Sequence, residues 1–115
     1  MKYLLLLYGD PAAEASLGPE GRAAMVEDHL RFSAMLRERG AMVLGEALEG
    51  PDKSRTVRFV GDSPVVTDGP FLEAKEALGG LYVLDCASTD EAIDLARQVP
   101  RSPGLVVQLS PIAGT

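Results

Sequence analysis

Cysteine, histidine and tryptophan are nearly absent from this chain. Its 115 residues include one cysteine, Cys86, one histidine, His29, and no tryptophan. A single cysteine excludes an internal disulfide and a cysteine cluster for zinc. One histidine without such a cluster also argues against a transition-metal site held by one chain. We therefore expect no metal, and we expect Cys86 to be an inert packing residue near a strand end.

The chain also lacks an excess of positive charge. Lysine and arginine number 11 against 17 aspartates and glutamates, for a net charge of −6. This balance argues against direct nucleic-acid binding and against anionic membrane surfaces. It is compatible with a small anionic ligand held by one or two local cations.

Long hydrophobic runs are missing as well. No segment approaches the length of a transmembrane helix. The start, MKYLLLLYGDPAAEA, superficially resembles a secretory signal, but its apolar core spans only Tyr3–Tyr8 and Asp10 interrupts it. A signal core needs about 7–15 apolar residues. We predict a buried strand here and a cytoplasmic protein.

What is present is typical of one globular domain covering residues 1–115. The composition is 46% hydrophobic and 24% charged, which is ordinary for a soluble fold. Apolar runs, alternation and turn residues predict six strands, at Tyr3–Tyr8, Ala41–Leu48, Arg55–Val60, Pro64–Thr67, Leu81–Asp85 and Leu105–Leu109.

Two long helices are predicted between these strands. Pro19 lies where a helix can begin, after a loop rich in Ala, Gly and Pro. Met25, Phe32 and Leu36 fall on one stripe over Arg22–Arg39 and indicate this helix, which Gly40 ends. The sequence Ser-Thr-Asp-Glu at 88–91 is a capping box and begins a second helix that stops before Pro100.

The order of elements predicts an α+β fold. β-α-β, a β-hairpin, a small helix and a second β-α-β give a ferredoxin-like split β-α-β sandwich, with an inserted hairpin and short helix. Two helices would cover one face of the sheet and leave the other face apolar and open. Because such a face usually has a partner, we expect a homodimer formed sheet against sheet.

One segment, VTDGPFLEAKEALGG at 66–80, uses more specific residues than a simple connection needs. Together with DHLRFSAMLRERG upstream and DEAIDLARQVP downstream, it resembles the DGPF branch of the YCII-related proteins over nearly the whole chain. The resemblance implies a ferredoxin-like fold that dimerises as an α+β barrel. It also implies relatives among cofactor-free isomerases and monooxygenases, a suspected His–Asp pair, and an association with extracytoplasmic-function sigma factors.

Carried onto this chain, the resemblance points to His29 and to the motif residues Asp68, Gly69, Pro70, Phe71, Lys75 and Glu76. The family tends to end its last strand with Glu and Arg before a Pro-hydrophobic pair. This chain has Gln108 and Ser110 there, so both charges are missing.

His29 and Asp68 are the candidate catalytic residues, and each has a structural alternative. His29 lies on the core-facing stripe, where imidazole can act as a general acid or base, or simply be a half-buried packing residue. Asp68 could orient His29 as the third member of a triad does, or cap the small helix that Pro70 begins.

Four further residues are candidates for ligand binding: Glu46, Phe71, Lys75 and Glu76. Lys75 and Glu76 could equally form a solvated helix face, although Lys75 could also bind an acidic group or pair with Glu46. Phe71 could pin the turn to the core, and Gly79-Gly80 is expected to end the small helix.

Three hypotheses follow from the sequence. The first is a dimeric, cofactor-free enzyme of the isomerase, lyase or lactone-hydrolase type, using His29 and Asp68 on a small organic molecule. The second is a non-catalytic ligand-sensing or interaction module that serves a sigma factor. The third is that the motif only fixes the fold and the dimer.

Overall fold

The computed structural model describes all residues, 1–115. Six strands are present: β1 (Lys2–Gly9), β2 (Met42–Ala47), β3 (Arg55–Val60), β4 (Ser63–Asp68), β5 (Ala77–Asp85) and β6 (Val106–Pro111). Three helices accompany them: α1 (Pro11–Ala15), α2 (Gly18–Glu38) and α3 (Thr89–Ala96), together with a 3-10 turn at Pro51–Lys53.

Four of the strands form one antiparallel sheet in the order β2–β5–β1–β6. With α2 connecting β1 to β2 and α3 connecting β5 to β6, this is the split β-α-β arrangement of a ferredoxin-like fold. β3 and β4 pair only with each other, as a hairpin inserted between β2 and β5. The predicted fold class is confirmed.

The helices cover one face of the sheet, as the alternation along β1 shows. Tyr3, Leu5 and Leu7 are buried, whereas Leu4 and Leu6 on the opposite face are only partly covered. Successive strand side chains point to opposite faces, so a continuous leucine run supplies apolar side chains to both. One face becomes the core and the other stays open.

The core lies between this covered face and the helices. Five large side chains are fully buried, and burial of each stabilises the fold by about 1.5–3 kcal/mol: Tyr3, Leu5, Leu36, Leu84 and Leu95. The hydroxyl of Tyr3 forms a hydrogen bond of 2.6 Å with Oγ1 of Thr89, which satisfies the polar end of a buried ring.

The predicted capping box begins α3. Oγ of Ser88 accepts a hydrogen bond from the Glu91 amide at 3.2 Å, and the Glu91 carboxylate accepts one from the Ala87 amide at 3.1 Å. The glutamate therefore reaches one residue further back than in the standard box.

The region predicted as a loop after β1 is helical. Asp10 caps α1 by accepting from the amides of Ala12 and Ala13, and Pro11 occupies the first helical position. α2 then begins at Gly18, one residue before Pro19, where the sequence predicts the helix to begin. Neither α2 nor any other helix combines the length and apolar character needed to cross a membrane.

The prediction of a small helix after Pro70 is wrong. Residues 70–76 contain no helix, and β5 begins at Ala77, so Gly79 and Gly80 lie inside a strand and end no helix. Gly69 takes a positive φ of 86°, and the carbonyls of Gly69 and Phe71 accept hydrogen bonds from the hairpin. A helix of two turns forms few internal hydrogen bonds, and these do not offset the free-energy cost of nucleating it. The hydrogen bonds to the hairpin therefore determine the conformation of this segment.

Candidate functional site

The side chains of α2 that face the sheet become less buried towards the N-terminal end of the helix. Phe32 and Leu36 in the C-terminal half are buried, Met25 and His29 are partly covered, and Val26 and Leu30 near them are largely exposed. The predicted stripe therefore faces the sheet, but only its C-terminal half is packed into the core. The N-terminal half borders a cleft.

His29 contacts Tyr82 of β5 across this cleft. Nδ1 of His29 and the Tyr82 hydroxyl are 2.7 Å apart in a hydrogen bond, and the two rings are nearly parallel, at 12°. Phe32 packs edge-on against Tyr82, with ring centroids 5.3 Å apart. His29 is thus held by its hydrogen bond to Tyr82.

Gly45 in β2 makes room for the Tyr82 ring. The two residues are paired across the strands, and a Cβ on Gly45 would lie 2.7 Å from two carbons of the tyrosine ring. Any larger residue would push the ring away from His29. A glycine in the middle of a strand, which weakens it by roughly 0.5–1 kcal/mol relative to alanine, is explained by this close approach.

The second ring nitrogen of His29, Nε2, has no partner in the protein. Every buried side-chain nitrogen and oxygen in the chain has a partner, so Nε2 is accessible from the cleft. One nitrogen is therefore used for positioning, and the other is available to a bound molecule.

The pKa values of the two groups shift in directions that keep both uncharged. Burial lowers the pKa of His29 from its ordinary value of 6.5, against the opposing effect of the Asp28 charge. Burial raises the pKa of Tyr82 above 10.0. At neutral pH the pair is thus a neutral imidazole beside a protonated phenol.

The cleft that contains His29 has a volume of about 650 Å³. This is within the usual range of about 300–1,000 Å³ for small-molecule sites. Its walls come from α1, the N-terminal half of α2, and the ends of β1, β2 and β5. The charged side chains along it are Glu14, Arg22, Glu46 and Glu49, and burial raises the pKa of Glu14.

Asp68 lies elsewhere, at the base of the hairpin. Its carboxylate forms an ion pair with Nε of Arg55 at 3.1 Å, and its side chain is 91% exposed. No hydrogen bond or ion pair joins it to His29 within the protomer. The predicted contact between the two residues is therefore not formed in one chain, and the catalytic role of Asp68 stays a prediction.

The motif around Asp68 is tied to β3 by side chains of the hairpin. Thr56 Oγ1 donates to the carbonyl of Gly69 at 2.7 Å, and the Arg58 guanidinium donates to that of Phe71 at 3.1 Å. These bonds explain much of the motif as a fastening between the hairpin and the segment leading to β5.

The other candidate residues divide between two cavities. Glu46 lines the His29 cleft, whereas Phe71 and Glu76 line a second cavity of about 830 Å³ between the 3-10 turn, the hairpin base and the motif. Lys75 lines neither and forms no ion pair with Glu46. Phe71 is 64% exposed, so the interpretation of this ring as an anchor in the core is wrong.

Tyr82 is the residue that sequence reasoning missed. The available signal was a tyrosine in the aliphatic strand LYVLD, together with a glycine interrupting β2. Only the strand register shows that these two residues face each other.

The structure offers no obvious metal site. No group of three or more histidine, cysteine, aspartate or glutamate side chains converges in a way that could hold an ion. Cys86 is buried, and burial raises the pKa of its thiol, which suits a packing residue.

Comparison with known proteins places the chain in a family. A family model described as the YCII-related domain matches residues 1–110. A protein of Rhizobium meliloti (strain 1021), described only as uncharacterized, is 33% identical over 99 residues, which cover 86% of this chain and 80% of that protein. The chain belongs to the YCII-related family.

Proposed function

We propose that the chain is a cofactor-free acid–base enzyme acting on a small organic molecule, of the isomerase, lyase or lactone-hydrolase type. The observation that carries this proposal is the His29–Tyr82 pair, with an accessible Nε2 in a cleft of about 650 Å³. The string Asp-Gly-Pro-Phe at 68–71 supports placing the chain in the DGPF branch of its family.

His29 would transfer the proton, and Tyr82 would hold the His29 ring in position. When Nδ1–H donates to the Tyr82 oxygen, Nε2 carries the free electron pair and can take a proton next to a substrate carbonyl. Protonation of Nε2 gives an imidazolium whose Nδ1–H still donates to the Tyr82 oxygen, and Nε2 then returns the proton to the substrate, which restores the neutral imidazole. The Tyr82 oxygen accepts a hydrogen bond in both states, so it keeps the ring oriented throughout. The lowered pKa of His29 keeps the base form dominant at neutral pH.

Proton abstraction next to a carbonyl has a general test that needs no knowledge of the natural substrate. Small ketones and keto acids are incubated with the protein in D₂O, and loss of their α-proton signals is followed by NMR. We expect at least one compound to exchange faster with the wild type than in buffer. His29→Gln should abolish the effect and Tyr82→Phe should reduce it, while Arg37→Gln on the exposed end of α2 should leave it unchanged.

Equal exchange by wild type and His29→Gln, or no exchange with any compound, would overturn the proposed reaction. Asp68→Asn belongs in the same set. A loss of exchange in that variant would show that the motif carboxylate takes part, as the sequence predicted.

We also propose that the chain forms a homodimer through the open face of its sheet. Leu4, Leu6, Leu81 and Val83 are neighbours on this face, and no element of the chain covers them. Large contiguous apolar patches are rare on monomers. Leu6→Glu should convert a dimer of twice 12.2 kDa to a monomer in light scattering. A wild type of 12.2 kDa at high concentration would contradict the proposal.

A second candidate function is a ligand-sensing or interaction module for a sigma factor. It is favoured by the exposure of Phe71 and Leu72, at 64% and 65%, beside the second cavity. Stoichiometric co-purification with a sigma factor, retained in His29→Gln and lost in Phe71→Ser, would support it. Failure of the wild type to co-purify would exclude it.

A further inference from the structure

One carboxyl group in the cleft of His29 has no partner in the chain. Glu14, the fourth residue of α1, lines this cleft and is only partly exposed, and its carboxyl group forms no hydrogen bond and no ion pair. Glu46 and Glu49, the other glutamates along the cleft, are exposed to solvent. Withdrawal of a carboxyl group from water costs free energy when no partner replaces the water. The Glu14 carboxyl group is therefore available to a bound molecule.

The backbone of α1 holds Glu14 at the end of β1. The amide of Asp10 donates to the Pro103 carbonyl at 3.1 Å, and the amide of Glu14 donates to the Asp10 carbonyl at 2.9 Å. These two hydrogen bonds fix the short helix against the segment that precedes β6. Oε1 of Glu14 then lies 2.6 Å from the position that a Cβ on Gly9 would occupy. Because side chains do not approach each other this closely, the glycine at the end of β1 leaves the space that the carboxyl group fills.

The surroundings of Glu14 favour its protonated form. Burial, and to a lesser degree the charge of Asp10, raise the pKa of the Glu14 carboxyl group above its ordinary value of 4.5. Arg22, the one arginine or lysine along the cleft, forms no ion pair with it. Burial moves the pKa of His29 in the opposite direction, below 6.5. A raised pKa for an acid and a lowered pKa for a base both increase the share of the reactive form near neutral pH.

We propose that Glu14 is a second catalytic residue of this site, a general acid that donates its proton to the carbonyl oxygen of the substrate. This role depends on the acid–base function proposed above for His29, and it names the partner that His29 works with. Glu14 lies on α1 and His29 on α2, both along a cleft of about 650 Å³. A small ligand in a cleft of this size buries most of its surface, so it contacts both walls.

The two proton transfers balance without a further reactant. Nε2 of His29 takes a proton from the carbon next to the carbonyl, and the electron pair of that C–H bond forms the carbon–carbon double bond of an enol. The π electrons of the carbonyl group take the proton of Glu14, which becomes a carboxylate. In the reverse steps the imidazolium returns a proton to carbon and the carboxylate takes the enol proton, so both groups end as they began. The substrate class is therefore a carbonyl compound with a hydrogen on the adjacent carbon.

Replacement of the carboxyl group is the direct test. Acetone, cyclohexanone and pyruvate are the probes, and loss of their α-proton signals in D₂O is followed by NMR. Glu14→Gln cannot donate a proton, so it should lower kcat at least tenfold and leave KM nearly unchanged, since a positioned acid contributes roughly 100-fold or more. Glu20→Gln, which removes an exposed carboxylate outside the cleft, is the matched control and should leave kcat unchanged. An unchanged kcat in Glu14→Gln overturns the proposed role.

Gly9→Ala displaces the carboxyl group and keeps it in the chain. The new Cβ cannot lie 2.6 Å from Oε1, so the Glu14 side chain must move and kcat should fall. Because both changes then act through the same group, Gly9→Ala/Glu14→Gln should be no slower than Glu14→Gln alone. Losses that multiply in the double variant would contradict the position assigned to Glu14.

The pH profile of kcat distinguishes an acid from a carboxyl group that only maintains the structure. The reaction needs neutral His29 and protonated Glu14, so kcat in the wild type should fall on both the acid and the alkaline side. Glu14→Gln should keep the fall on the acid side, which belongs to His29, and lose the fall on the alkaline side. The same alkaline fall in the variant and the wild type would refute the role of Glu14 as the acid.

The exchange assay also separates the role of Glu14 from that of His29. Exchange that is lost in His29→Gln and unchanged in Glu14→Gln would support the base and refute the acid. Exchange that is lost in both variants would support the pair. If none of the three probes exchanges faster with the wild type than in buffer, both roles are refuted.

Discussion

Replacement of Gly45 by alanine tests the link between β2, Tyr82 and His29. The new Cβ would lie 2.7 Å from Cδ1 and Cε1 of Tyr82, well inside van der Waals contact, so the ring must move. Overpacking of this kind costs about 1–3 kcal/mol, and loss of the His29 hydrogen bond adds about 1 kcal/mol. A gain of roughly 0.5–1 kcal/mol from replacing a strand glycine offsets part of the cost. We expect a net loss of about 1–3 kcal/mol in the free energy of unfolding.

Gly79→Ala in β5 is the matched control. The nearest atom to a Cβ there is the Leu7 carbonyl oxygen at 3.9 Å, an ordinary contact, so the free energy of unfolding should stay constant or rise slightly. Urea denaturation measures both variants, and the NMR signals of the single histidine report the position of Tyr82. A Gly45→Ala protein as stable as the wild type, with unmoved His29 signals, would refute the packing described here.

Four further predictions use the same denaturation assay. Tyr82→Phe should lower the free energy of unfolding by about 1 kcal/mol, because it removes one hydrogen bond and keeps the ring; an unchanged value would mean that the bond is absent. His29 binds a proton more readily in the unfolded chain than in the folded chain, so the free energy of unfolding should fall as pH drops below about 6.5. His29→Gln should weaken this dependence; the same pH profile in the variant and the wild type would contradict the lowered pKa of His29. Asp68→Asn should cost at most about 1 kcal/mol, since its ion pair with Arg55 is exposed; a larger loss would show a hidden contact. Ser88→Ala should cost about 1 kcal/mol through the lost cap of α3, and no loss would show that the cap is redundant.

Much of the fold could be predicted because its elements carry local signals. The leucine run predicts β1, the stripe through Phe32 and Leu36 predicts most of α2, and the Ser88 capping box predicts the start of α3. The same type of signal is present for α1, where Asp10 and Pro11 form a cap and a first helical position, but a short alanine-rich segment with Gly and Pro also fits a loop.

The errors arose where long-range contacts decide. Residues 70–76 have a helical composition, yet their backbone is held by Thr56 and Arg58 of the β3–β4 hairpin. The partner of His29 is Tyr82, 53 residues away, and only the register of β2 with β5 explains Gly45 beside it. Sequence proximity cannot show such pairs. The motif carboxylate was the natural candidate because it was the most specific residue visible.

The pH titration of His29 by NMR tests the central claim, that Tyr82 and partial burial set the state of this imidazole. The single histidine makes the assignment unambiguous. We expect a pKa below about 6.5 that changes in Tyr82→Phe and is the same in Asp68→Asn. A His29 pKa above about 6.5 that falls in Asp68→Asn and is unchanged in Tyr82→Phe would contradict this claim. It would make Asp68 the partner of His29.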